Sequence, residues 1–144
     1  MRPFALTLLA TLALPMGSHA APSTSPVEAV RAIAASAPAI MIPPHTAARM
    51  KQELDQHALF VDVDAAADTG STLRVDAHVP LHVYDAPETF DASFLGRMDE
   101  ARAAKRLRFT DGVVLVSRSA RTALEAAELM REHGYTLLFA VTAP

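Results

Sequence analysis

The sequence predicts a single α/β domain in which helices cover both faces of a parallel sheet. Two apolar runs, 58–64 and 113–116, have the near-continuous hydrophobicity of strands that are buried on both faces. Segments with helical spacing of apolar residues alternate with these runs, which is typical of parallel βαβ units. The length of 144 residues fits one domain. The expected architecture is therefore a doubly wound sheet.

Residues 1–20 have the features of a signal peptide. Met1 and Arg2 give a positive start, and residues 4–14 form an apolar run that is too short to span a membrane. Small residues precede the end of this segment, so we expect cleavage near Ala20 and a periplasmic or secreted product. After cleavage we expect no stable membrane insertion. The alternative is an N-terminal anchor that stays attached.

A linker and an N-terminal helix are predicted for residues 21–38. Ser25 and Glu28 have the spacing of a capping box, and Pro26 suits the first position of a helix. Pro38 ends this helix, and the domain proper is expected to occupy residues 39–144.

The first half of the domain begins with a brief buried strand at 40–42 and a helix for which Thr46 is a suitable N-cap. The buried strand 58–64 ends in acidic residues and is followed by a polar turn. Residues 73–83 alternate apolar and polar side chains, which predicts a half-exposed strand, placed at an edge because Pro80 interrupts it. After a loop, apolar residues at helical spacing predict the next helix: Phe90, Phe94, Leu95 and Met98.

The second half begins with a charge-dense stretch, 99–108, which we interpret as a solvated helix face or as a docking surface for an anionic partner. The central strand 113–116 is joined by residues 117–122 to the strongest helix of the chain, which ends at Gly134. Residues 135–141 form the last predicted strand.

Composition excludes several classes of function. The net charge of -3 and the absence of Trp argue against nucleic-acid binding. The chain contains no Cys, so it has no disulfide, thiolate ligand or thiol nucleophile.

The stretch from Val113 to Tyr135 resembles the active-site strand, loop and helix of the rhodanese (sulfurtransferase) family. When Ala126-Ala127 and Gly134-Tyr135 are aligned with the family's landmarks, its catalytic Cys falls on Ser117. The next two residues match the family's commonest ones, and two upstream elements also agree, Phe60-Val61-Asp62-Val63 and His78-Val79-Pro80. The resemblance implies a rhodanese-like doubly wound domain.

The departures from the family pattern concern its chemistry. The family's Cys accepts a sulfane sulfur and becomes a persulfide that loop N–H groups hold, which a serine hydroxyl does not do. The family's loop Gly, loop Arg and following Ser fall on Ala120, Thr122 and Ala123, and Asp64 stands where an Arg is usual. The C-terminal Gly-Gly and Trp landmarks are missing after Phe139. The resemblance therefore implies a degenerate member without sulfurtransferase activity.

We predict that the active-site-like loop binds a small anion or a protein partner, with the chain acting as a binding or scaffolding module. The loop residues are Ser117, Arg118, Ser119, Ala120, Arg121 and Thr122, and the pocket rim is expected to include Asp62, Asp64 and His78. Loop N–H groups at a helix start suit anions, and the two arginines add charge. The alternative for Arg121 is a surface pair with Glu125.

Residues in and near this loop also offer two further chemistries. Ser117 could act as a hydrolytic or phosphatase-like nucleophile, with His78 or His82 as base and Asp62 or Asp64 as orienter, but the G-x-S-x-G elbow is absent. Asp76, His78, His82 and Asp85 offer metal-ligand atoms without a tight motif. We therefore expect no metal, no cofactor and no catalytic residue.

Overall fold

The computed structural model describes residues 25–28, 39–65 and 73–143 of a chain that divides into two units, Met1–Ala32 and Ile33–Pro144. In the first unit the described residues are the start of a helix. The Ser25 Oγ accepts the Glu28 N–H at 3.2 Å, and Glu28 Oε2 accepts the Ser25 N–H at 3.1 Å, so the predicted capping box is confirmed. The predicted signal peptide and the rest of the linker and helix lie outside the described residues.

The second unit alternates strands and helices. Its elements are β1 Ile40–Met41, α1 Pro44–Leu54, β2 Ala58–Asp62, β3 Ala77–His78, β4 His82–Val83, β5 Ala86–Phe90, α2 Phe94–Ala104, β6 Gly112–Ser117, α3 Ala120–Glu132 and β7 Leu138–Thr142. Five strands form a sheet in the order β1-β7-β6-β2-β3, in which every pairing is parallel. Strands β4 and β5 form a separate antiparallel hairpin.

Helices pack on both faces of the sheet, as the sequence predicts. On one face, Leu59 and Leu115 belong to a buried cluster that includes Met98 of α2 and Met130 of α3. On the other face, the alternate residues of the same strands pack with Ala47 of α1. All residues of β2 and β6 are buried, which explains why both strands are apolar without alternation.

The prediction of one continuous strand over 73–83 is wrong. The backbone follows β2 up to Leu81, since Val79 donates to the Asp62 carbonyl at 2.9 Å and Leu81 donates to the Val63 carbonyl at 3.1 Å. Pro80 lies between these two donors and has no N–H. The segment therefore splits into β3, which is an edge strand as predicted, and β4, which turns into the hairpin.

The helix predicted to include Phe90 begins four residues later. Phe90 ends β5, where its ring stacks on His82 with 5.2 Å between the centroids. The Asp91 carboxylate accepts the Ser93 N–H at 2.8 Å, and the Asp91 carbonyl accepts the Phe94 N–H at 3.1 Å. This local turn separates the strand from α2.

Two other boundaries differ from the prediction, and a third agrees with it. Helix α1 begins at Pro44 rather than after Thr46, because a proline fits the first helical turn, where no N–H is needed. Strand β7 begins at Leu138, since the Tyr135 N–H still bonds to the Met130 carbonyl at the end of α3. Gly134, with φ of 113°, provides the predicted stop of that helix.

The interpretation of 99–108 as a solvated face is wrong for three of its charged residues. The Asp99 carboxylate accepts the Tyr135 hydroxyl at 2.6 Å and lies 2.8 Å from His133 Nε2. The Arg102 guanidinium lies 4.2 Å from the centroid of the Phe109 ring and donates to the Leu107 carbonyl at 2.9 Å. The Lys105 ammonium reaches the Asp76 carboxylate at 2.7 Å and the Ala58 carbonyl at 2.8 Å. Lys105, just after α2, thus reaches the sheet, whereas Arg102 packs on the segment that follows the helix, and a pattern of charges alone reveals neither contact.

Candidate functional site at the ends of β2 and β6

The candidate site lies where two neighbouring parallel strands end. Asp62 of β2 pairs in register with Val116 of β6, so Asp64 and Ser117, just beyond, come side by side. The carboxyl ends of parallel strands are where α/β proteins place their binding sites. This topology explains why these residues lie at one edge of the sheet, as the sequence led us to expect.

Ser117 is the last residue of β6 and is fully buried. Its hydroxyl donates to Asp64 Oδ1 and accepts the Ser119 N–H at 3.0 Å. Its carbonyl accepts the Ala143 N–H at 2.7 Å, beside the end of β7. Both capacities of the hydroxyl are therefore used within the protein.

Asp64 is the other half of this contact. Its second carboxylate oxygen, Oδ2, accepts the Arg118 N–H at 2.9 Å. The backbone of Asp64 is held from two sides, because its N–H donates to Asp62 Oδ1 at 2.9 Å and its carbonyl lies 2.6 Å from His78 Nε2. The three residues of the predicted rim, Asp62, Asp64 and His78, are thus brought together beside Ser117.

The predicted six-residue loop is shorter in the structure. Ser119 is the N-cap of α3, and its side chain accepts the Thr122 N–H at 3.4 Å. Ala120, Arg121 and Thr122 accordingly form the first turn of the helix instead of a loop. Arg118 and Ser119 alone connect strand and helix.

Arg121 takes the alternative that the sequence left open. Its Nε lies 3.3 Å from Glu125 Oε1, one turn along the helix. The pair lies on the wall of a cleft of about 460 Å³ that is also lined by the hairpin residues His82, Pro87, Glu88 and Phe90. The arginine is therefore placed beside the hairpin and is paired with a carboxylate.

The residues proposed for hydrolysis do not assemble into a Ser–His–Asp arrangement. Within the described residues, Ser117 Oγ has no histidine partner, because His78 contacts the Asp64 carbonyl and His82 stacks on Phe90. The partner of the hydroxyl is a carboxylate, which is a much weaker general base than an imidazole. With the Asp64 carboxylate in place, full burial of Ser117 also keeps a substrate carbonyl away from the hydroxyl.

The described residues contain no group of three or more His, Asp or Glu side chains placed to hold a metal ion. Asp76, one of the four acids and histidines considered as ligands, binds two lysines instead. Within the same residues, no helix is long and apolar enough to cross a membrane.

Sequence reasoning missed the role of Asp64 as the direct partner of Ser117. It placed both residues at one edge of the sheet and noted an acid where the rhodanese family has an arginine. The bond between them depends on the β2–β6 register and on the direction of one side chain, neither of which a sequence pattern encodes. The acid at position 64 was the available signal.

Comparison with solved structures connects this fold to known proteins. The chain resembles Rv0390 from M. tuberculosis, seen in a crystal structure, with a TM-score of 0.55 and 24% identity over 73% of this chain and 78% of that one. It also resembles the 30 kDa polysulfide-sulfur transferase homodimer from Wolinella succinogenes, seen in solution, with a TM-score of 0.45 and 19% identity over 80% of this chain and 75% of that one.

The sequence comparisons are negative: no protein-family model matches the chain, and curated proteins give no significant match. Rv0390 has a rhodanese-like fold. At 24% identity its likeness to this chain concerns architecture, and it agrees with the five-stranded parallel sheet and with the helices on both of its faces. This chain therefore has a rhodanese-like α/β fold.

Proposed function

We propose that this protein is an exported rhodanese-fold module that has lost sulfurtransferase activity and acts by binding a partner. One observation carries the proposal: Ser117 lies at the end of β6 with its hydroxyl hydrogen-bonded to Asp64 and Ser119. By the resemblance, this is the position of the family's sulfur-carrying Cys. The chain has no Cys elsewhere to carry the sulfur.

The contacts favour a protein partner over a small anion. The Arg118 N–H already donates to a carboxylate of the chain itself, and the Arg121 guanidinium is paired with Glu125. The neighbouring hairpin instead offers apolar surface, since Tyr84 is 76% exposed and Phe90 is 46% exposed. Exposed aromatic side chains next to a cleft are typical of protein contact surfaces.

Affinity capture with a matched pair of variants tests the binding role. The tagged mature protein is used to capture proteins from the periplasmic extract of its source, alongside Tyr84→Ser/Phe90→Ser and the control Leu54→Ser. Leu54 is a 40% exposed apolar residue on α1, away from the hairpin. We expect one partner to be retained by the wild type and the control and lost with the hairpin variant. Equal capture by all three proteins would contradict a binding role for this surface.

Export is tested on the full chain. Expressed in a Gram-negative host, the protein is expected in the periplasmic fraction with Ala21 as its first residue, as read by N-terminal sequencing. Recovery of an intact Met1 in the cytoplasm or the membrane contradicts cleavage and export.

The alternative function, hydrolysis with Ser117 as nucleophile, has a direct test of its own. Wild type and Ser117→Ala are compared on aryl esters and aryl phosphates. The contacts of Ser117 predict equal and negligible rates, whereas activity that disappears with the hydroxyl would establish the hydrolase.

A further inference from the structure

Two donors at the end of β6 converge on a single carboxylate. The Ser117 hydroxyl donates to one oxygen of Asp64, and the Arg118 N–H donates to the other oxygen at 2.9 Å. The Ser119 N–H supports this arrangement indirectly, because it donates to Ser117 Oγ at 3.0 Å. The end of β6 thus presents two adjacent hydrogen-bond donors, and the Asp64 carboxylate of the same chain accepts from both.

Asp64 reaches this position because its backbone is fixed independently of its side chain. Asp62 is 5% exposed and accepts the Asp64 N–H, while His78 holds the Asp64 carbonyl. Neither contact involves the Asp64 carboxylate. A substitution of the side chain alone therefore leaves the end of β2 anchored.

We propose that the Asp64 carboxylate fills the position at the end of β6 where a small oxyanion would otherwise bind. It acts as an autoinhibitory contact that keeps oxyanions such as thiosulfate, sulfate and phosphate away from this strand end. The inference rests on the proposed function and deepens it, because it gives a physical reason for a protein partner to be favoured over a small anion at this edge. A bidentate acceptor with delocalised negative charge is what a hydroxyl and an adjacent N–H bind best. A second anion would be repelled by the carboxylate and would find its donors engaged.

Removing the carboxylate exposes the donors. In Asp64→Ala, the Ser117 hydroxyl and the Arg118 N–H lose their acceptor, and leaving such donors without one is unfavourable. An external oxyanion can restore both bonds. The variant should therefore gain an affinity that the wild type lacks.

Amide NMR with inorganic phosphate, sulfate and thiosulfate tests this gain. The resonances of Arg118 and Ser119 are followed in wild type, Asp64→Ala and the control Asp85→Ala, which removes one negative charge from the exposed hairpin turn. We expect affinity at least about ten-fold higher in Asp64→Ala than in the other two. Equal affinity of Asp64→Ala and wild type overturns the proposal, and equal gains in Asp64→Ala and Asp85→Ala reduce it to a general charge effect.

A thiol probe gives a second measurement that does not depend on a bound anion. Because the chain has no Cys, Ser117→Cys introduces its only thiol, whose ionisation is followed by ultraviolet absorbance. The neighbouring carboxylate should keep the pKa of this thiol high, and adding Asp64→Ala should lower it by about one pH unit or more. Adding Asp85→Ala instead should not change it. An unchanged pKa in the Asp64→Ala double variant contradicts the contact.

The two proposals fail in different ways. Sulfur transfer by the wild type would remove the proposed function, whatever Asp64 does. Failure of Asp64→Ala to gain oxyanion affinity would contradict the proposed role of Asp64 and would not affect the proposed loss of sulfur transfer.

Discussion

Two aspartates lie near opposite ends of β2, and their partners differ in kind. Near the amino end, Asp76 accepts from Lys105 at 2.7 Å, from Lys51 at 2.8 Å and from the Phe60 N–H at 2.8 Å. Near the carboxyl end, Asp64 accepts from the hydroxyl of Ser117 and from a backbone N–H. One carboxylate is neutralised by cations, and the other is held by neutral donors.

The two aspartates therefore differ in their electrostatic role, because Asp76 belongs to a structural cluster of charges and Asp64 belongs to the candidate site. Burial alone would raise the pKa of Asp76, but hydrogen bonds from the two lysines and from Phe60 outweigh it and lower the pKa. Burial alone would lower the pKa of Lys51, but its hydrogen bonds to Asp55 and Asp76 outweigh burial and raise the pKa. This cluster ties α1, α2 and β3 to β2. The Asp64 carboxylate instead lies at the edge of the sheet where α/β proteins generally place their binding sites.

Replacing Asp76 should have the largest effect on stability. In Asp76→Ala, two lysines whose side chains are only 19% and 15% exposed lose one of their two shared acceptors. The other is Asp55, just after α1, which lies 2.6 Å from Lys51 and 3.6 Å from Lys105 and is more exposed than Asp76. We expect the free energy of unfolding to fall by about 2 to 3 kcal/mol in urea denaturation. Asp85→Ala serves as the control and should stay within about 0.5 kcal/mol of wild type. A loss for Asp76→Ala no larger than that of the control would show that the cluster is not structural.

Replacing Asp64 should cost less. Asp64→Ala leaves a buried hydroxyl and one N–H without their acceptor, which corresponds to a loss of about 1 to 2 kcal/mol by the same denaturation assay. Asp64→Asn retains an acceptor oxygen and should lose less. If Asp64→Ala proved as costly as Asp76→Ala, the distinction between the two ends of β2 would not hold.

Acid should weaken the Asp76 cluster. The folded-state pKa of Asp76 is lowered, so its contribution is present above its unfolded pKa of about 3.9 and is lost as the pH falls through the lower folded value. The stability difference between wild type and Asp76→Asn should therefore shrink as the pH falls from about 5 to about 3, as measured by urea midpoints. A constant difference over that range would exclude the ion pairs as its cause.

The surface pair of Arg121 and Glu125 should contribute least. The Arg121 side chain is 87% exposed, and exposed pairs at this helical spacing contribute about 0.3 to 0.5 kcal/mol. Arg121→Ala should change the urea midpoint by a correspondingly small amount, and high salt should abolish the difference. A loss above about 1 kcal/mol would indicate a role for Arg121 in the fold beyond this pair.

The sequence predicts the sheet well because its central strands are buried on both faces, and such strands are apolar without alternation. It fails at boundaries that local hydrogen bonds decide, such as the turn at Asp91 that delays α2 to Phe94. Pro80 marked an interruption but did not show that the chain would continue along β2 on both sides of it.

The sequence predicts which residues of the candidate site lie near one another, but it does not predict the hydrogen bonds that they form. Parallel topology alone brings Asp62, Asp64 and Ser117 to one edge. The lysine cluster was not predictable, because Lys51 and Lys105 lie 25 and 29 positions away from Asp76 along the chain. The direct bond between Asp64 and Ser117 likewise spans 53 positions and requires the folded register.

Sulfur transfer from thiosulfate to cyanide by the wild-type protein is the most direct test of the account. With a serine in place of the sulfur-carrying Cys, thiocyanate should form no faster than in a protein-free blank, and Ser117→Ala should give the same result. Thiocyanate production that is catalytic in wild type and absent in Ser117→Ala would contradict the loss of sulfurtransferase activity.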